Sequence, residues 1–191
     1  MKSTWRNACE EMPAVVKEIS RHITNYSYDS SEDSQSTEER MDAFIKEAGE
    51  TMADRMHVIL NVSFELHRKQ LDDDARRFMD LVSSLEVYST DSPAWNKMPL
   101  EFMKKLVMKD SVIVLGTVQM LGEIESLNER FHQAIKDDKI FAKEAPGMKK
   151  MLKDLIESLE NLIGVLRERE KLRNVRGECM KKAIEAFERE A

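Results

Sequence analysis

What narrows this chain most is its shortage of residues that turn a backbone. Six glycines and four prolines are spread over 191 residues. Together they make up about 5% of the chain, where roughly 12% is typical. Turns draw on glycine and proline for specific backbone angles. An all-β chain needs such a signal roughly every 8–12 residues. Sandwiches, barrels and glycine-rich nucleotide loops are therefore excluded, and a few long helices are expected. Placing the ten residues strengthens this. Pro93, Pro99, Pro146 and Gly147 mark connections, and Pro13 marks a helix start or kink. Gly49, Gly116, Gly122, Gly164 and Gly177 lie inside helical patterns.

The helical patterns are apolar residues recurring in steps of three and four. The first runs through Trp5, Ala8, Cys9, Met12, Val15, Val16, Ile19, Ile23 and Tyr26. A second carries Met41, Phe44, Ile45, Ala48, Met52, Met56, Ile59 and Leu60. Asp72-Asp73-Asp74 can open a new helix holding Ala75, Phe78, Met79, Val82 and Leu85, so residues 37–88 form either one helix or two. Pro99 suits the first turn of the next helix. That helix has a middle, Val112 to Leu121, that is apolar nearly all round, so it is expected to be the central one. Its Gly116 and Gly122 would admit a neighbouring helix closely. Asp137 to Gly147 reads as a connection. Beyond it Met148, Leu152, Leu155, Leu159, Leu162 and Leu166 alternate fours and threes, as in a coiled-coil seam.

Between the first two helices, residues 27–37 contain no aliphatic side chain and no period. They read as a mobile acidic serine-rich loop. Ser36-Thr37-Glu38-Glu39 has capping-box spacing, which starts the next helix near Thr37. The expected fold is one all-α domain over residues 1–191. It is an elongated antiparallel bundle of four to five helices with a long C-terminal helix.

Composition bounds the function. The chain is 41% hydrophobic and 35% charged, with formal charge −6, too apolar for global disorder and too acidic for bulk nucleic-acid binding. The longest apolar run is too short to cross a bilayer. Cys9 and Cys179 form neither a disulfide framework nor a metal spacing, which suits a reducing cytoplasm. No Gly-x-Ser-x-Gly, Walker or paired-glycine motif is present, so no enzyme and no cofactor are expected.

Three sets of residues remain. Asp54/His57 and Glu129/His132 each set a carboxylate and a histidine three apart, with Glu18 on the first helix. Di-iron bundles use related spacings, but these residues lie off the apolar stripes, so a solvated surface is the favoured reading. Ser30 and Ser34, among acidic residues, are candidate phosphorylation sites, with an unmodified linker favoured. The last set lies where the leucine seam runs on to Arg169 and Arg173 and a shifted stripe passes through Leu172, Cys179 and Phe187. With Leu166, these form a candidate partner-binding face. The expected function is a non-enzymatic intracellular protein-interaction or scaffold module, self-associating or docking a protein partner. The alternatives are a bundle binding lipid or a membrane surface and a carboxylate–histidine metal bundle.

Overall fold

The computed structural model describes residues 3–65, 71–85 and 99–189. Side chains are described to residue 62 in the first stretch and to residue 172 in the last. The fold is an all-α bundle. Among the described residues there are six helices and no strand. They are α1 (Thr4–Glu11), α2 (Pro13–Ile19), α3 (Ser31–Glu65), α4 (Asp72–Ser83), α5 (Leu100–Ala134) and α6 (Asp138–Arg189). Among those residues no helix is long and apolar enough to cross a membrane.

The chain folds into two compact units. The first takes Met1–Ala43, Tyr88–Val114 and Gly164–Ala191, and the second Phe44–Val87 and Leu115–Ile163. Each of α3, α5 and α6 therefore contributes to both. In the second unit Met52, Met56, Ile59, Phe78, Leu127 and Phe131 are fully buried, and so are Leu152 and Leu155 on the seam.

 Leu159 itself is fully buried as well. From Met148 to Leu162 the leucine seam of α6 thus faces the interior of its own chain.

Local chemistry sets the helix boundaries. Ser3 caps α1 by accepting from the Arg6 amide at 3.2 Å. Pro13 occupies the first turn of α2, where its missing N–H costs nothing. Leu71 precedes α4 as its N-cap, so the described part of residues 37–88 holds two helices, and Asp72, Asp73 and Asp74 place negative charge in the first turn of the second.

Three expectations are corrected. Residues 31–37 are helical, not a mobile loop, because α3 starts at Ser31. The Ser30 hydroxyl accepts from the Asp33 amide at 2.9 Å and caps that start. The connection expected over residues 137–147 shrinks to the few residues before α6. Asp137 Oδ1 accepts from the amides of Lys139 and Ile140 at 2.7 and 3.2 Å, and the helix begins there. Pro146 then lies inside α6. Proline removes one helical bond, but Ala142, whose carbonyl loses its donor, is exposed and open to water. Finally, the middle of α5 is not buried all round. Ile113, Val114, Thr117 and Met120 are buried, while Val112 and Leu115 are exposed.

Candidate functional site

The densest polar chemistry in the described chain lies inside the first unit. Tyr26 and Tyr28 reach it from the connection between α2 and α3. Glu38 comes from α3, Asp110 from α5 and Arg169 from α6. Arg169 donates through Nη1 and Nη2 to the two oxygens of Glu38, at 2.9 and 2.7 Å. This is the bidentate fork that guanidinium geometry favours. Its Nε donates to Asp110 Oδ1 at 2.5 Å. The other Asp110 oxygen accepts from the hydroxyls of Tyr26 and Tyr28, each at 2.7 Å. Nη2 also donates to the Tyr28 oxygen at 3.3 Å.

These side chains are sealed from water. Arg169 is 4% exposed, Glu38 3% and Asp110 0%. Burial pushes the Asp110 carboxyl above its ordinary range and the charge of Glu38 adds to this, while Arg169 opposes both. Burial also raises Tyr26 and Tyr28 well above the usual phenol value, with the charge of Asp110 next in importance. Burial alone would depress Arg169, but Asp110 and Glu38 override it and hold the guanidinium charged. One cation between two carboxyl groups, with two phenol donors closing the remaining valences, satisfies the rule that buried charge must be paired and hydrogen-bonded.

An aromatic triad roofs the cluster. The rings of Trp5, Tyr26 and Tyr28 meet edge to face with centroids 5.4–5.5 Å apart. Thr37 pins the same connection, its hydroxyl donating to the Ser27 carbonyl at 2.8 Å and accepting from the Ser27 amide at 3.0 Å. Arg40 donates to the Asn25 carbonyl at 3.3 Å.

A second feature is an open groove of about 500 Å³ along α5, lined by Lys104, Lys105, Met108, Lys109, Val112 and Val165 among others. Met108 and Val112 are each 48% exposed, high for large apolar side chains. Two of its lysines are engaged in ion pairs. Lys104 pairs with Glu11 and Glu101, and Lys109 pairs with Glu168.

No protein-family model, curated protein or solved structure matches this chain. Its chemistry is therefore read from its own residues.

The sites expected from sequence fare differently. Asp54, His57, Glu129 and His132 are all exposed, and Glu18 pairs with Arg21 on the surface. Among the described residues no group of three or more His, Cys, Asp or Glu could hold a metal ion. Ser34 is fully buried and its hydroxyl donates to the Ser30 carbonyl at 2.7 Å. Ser30 is occupied as the α3 cap. Neither is the free loop serine that the sequence suggested. Arg169 is likewise no partner-facing residue, because its charge is consumed inside the chain. Leu166 and Leu172 are half-buried. The side chains of Arg173, Cys179 and Phe187 lie outside the described residues.

Glu38, Asp110, Tyr26 and Tyr28 were not singled out as site residues by sequence. A signal was present. Glu38 stands one helical step before Met41, Asp110 sits among Leu106, Val107 and Ile113, and Arg169 continues the leucine seam. Charges of opposite sign in phase with three separate apolar stripes point to an interior ionic cluster.

Proposed function

We propose that this chain is a non-enzymatic interaction module that works through helix faces, chiefly the C-terminal part of α6, and that it pairs there with a second copy of itself. The observation that carries this reading is the course of α6. The helix runs from Asp138 to Arg189 without a break. It therefore continues about 30 Å beyond Arg169, at 1.5 Å per residue. That stretch of sequence holds the stripe Leu172, Val175, Cys179, Ala183 and Phe187. An apolar stripe at helical spacing suits pairing with another helix. A reducing compartment such as the cytoplasm fits the free thiol of Cys9.

Light scattering on the full chain and on a version ending at Leu172 tests the reading. That end point spares Arg169 and its partners. The full chain is expected to self-associate with concentration, and the shortened chain to be monomeric with unchanged helicity per residue. If both are monomers, or both associate equally, the reading is wrong.

A further inference from the structure

Residues 3–30 form a strap that buries Ala8, Ile19 and Ile23 and is held as well by a set of polar contacts. Tyr26 and Tyr28 hydrogen-bond Asp110 of α5. Ser27 is held by Thr37, and Asn25 by Arg40, both on α3. Glu11 pairs with Lys104. Much of the strap's aromatic surface is spent on itself, in the Trp5–Tyr26–Tyr28 triad. Asp110 is the shared acceptor, taking both tyrosines on one oxygen and Arg169 on the other.

We infer that the strap is a latch for the C-terminal half of α6, with the seating of Tyr26 and Tyr28 and the docking of Arg169 each stabilising the other. The physical reason is the shared buried carboxyl. With the tyrosines seated, Asp110 has donors on both oxygens and can tolerate burial beside Glu38. With the strap lifted, Asp110 loses those donors and meets water, and the arginine bridge loses the dry surroundings that make it strong. An equilibrium coupling of this kind is reciprocal: whatever loosens the strap must loosen α6 near Arg169, and the reverse. The inference goes beyond the proposed self-association and does not depend on it, because the coupling exists within one chain.

Amide hydrogen exchange on the full chain tests it. Tyr26→Phe with Tyr28→Phe removes the donors and keeps the rings. Thr37→Val loosens the strap while leaving every cluster member in place. In both variants, exchange is expected to rise at least about tenfold in residues 3–30 and in residues 164–172, since hydrogen bonds to charged groups are among the stronger ones. Residues 138–163 of the same helix should change much less. Arg169→Met should in turn speed exchange in residues 3–30. If Thr37→Val opens the strap while residues 164–172 keep their protection, the latch is refuted. It is equally refuted if all of α6 speeds up uniformly, because strap and helix then open only by global unfolding. A full chain that stays monomeric while the exchange coupling is present would overturn the proposed function alone.

Discussion

Arg169 grips Glu38 through both terminal nitrogens, at 2.9 and 2.7 Å, joining α6 to α3 in a site closed to water. The two residues are 131 positions apart. The contact therefore exists only in the folded chain, and its loss leaves buried carboxyls without a cation. Arg169→Met should cost about 3–5 kcal/mol, the usual consequence of stranding one side of a buried pair. Adding Glu38→Gln and Asp110→Asn to that variant should recover part of the loss, because the remaining groups are then neutral. Urea titration of the parent and the two variants measures both effects.

The two tyrosines make stability sensitive to alkali. Burial first, then the charge of Asp110, raise both phenols in the folded chain. An unfolded tyrosine ionises near pH 10, to within about a unit. A group whose folded pKa lies above its unfolded value contributes stability that is complete below the unfolded value and declines as pH rises through it. Folding stability should therefore fall above about pH 10. Tyr26 and Tyr28 should become tyrosinate only as the chain opens. Ultraviolet absorbance and circular dichroism followed together in an alkaline titration should show one shared transition, and Tyr26→Phe with Tyr28→Phe should weaken it.

The serines at the start of α3 differ in kind. Ser30 caps the helix, so Ser30→Ala should cost about 1 kcal/mol. Ser34 is fully buried, so Ser34→Glu takes a charge out of water and should cost at least about 3 kcal/mol. Thermal melts of the two variants should rank in that order. A Ser34→Glu chain as stable as the parent would mean that this turn of α3 opens readily.

These serines also show where the sequence was legible and where it was not. Apolar periodicity located the long helices well, because Met52, Met56, Leu152, Leu155 and Leu159 bury at the spacing they show on paper. It was blind to the first turns of α3. There the inward positions are Ser34, Thr37 and Glu38, which look like a loop until the tyrosines and Arg169 that satisfy them are known. The apparent capping box at Ser36–Glu39 misled as well, since both residues lie inside α3, where Glu39 accepts from the Gln35 side chain at 3.0 Å rather than reaching back to a helix end. Pro146 and Asp137 set a second limit. A short polar cap outweighed the Pro-Gly pair in fixing the start of α6, and no rule of spacing ranks the two.

The glycines allow a test of how closely the helices approach. Gly116 and Gly122 read as points of close approach, but a Cβ added at either meets nothing within 4 Å, and Gly164 is the same. At Gly49 an added Cβ would lie 3.6 Å from Leu85 Cδ1, an ordinary van der Waals contact. None of the four has positive φ. With neither a steric nor a conformational need for glycine, only its entropic cost in a helix remains, about 0.5–1 kcal/mol relative to alanine. Each of Gly116→Ala, Gly122→Ala and Gly164→Ala should therefore raise stability by roughly that amount, and Gly49→Ala by slightly more through its new contact. Changes at well-separated sites should add, so combining Gly49→Ala with Gly122→Ala and Gly164→Ala should raise the urea midpoint by the sum of the single shifts. A fall at Gly122 would mean that a neighbouring backbone does pass there and that the glycine is spent on packing after all.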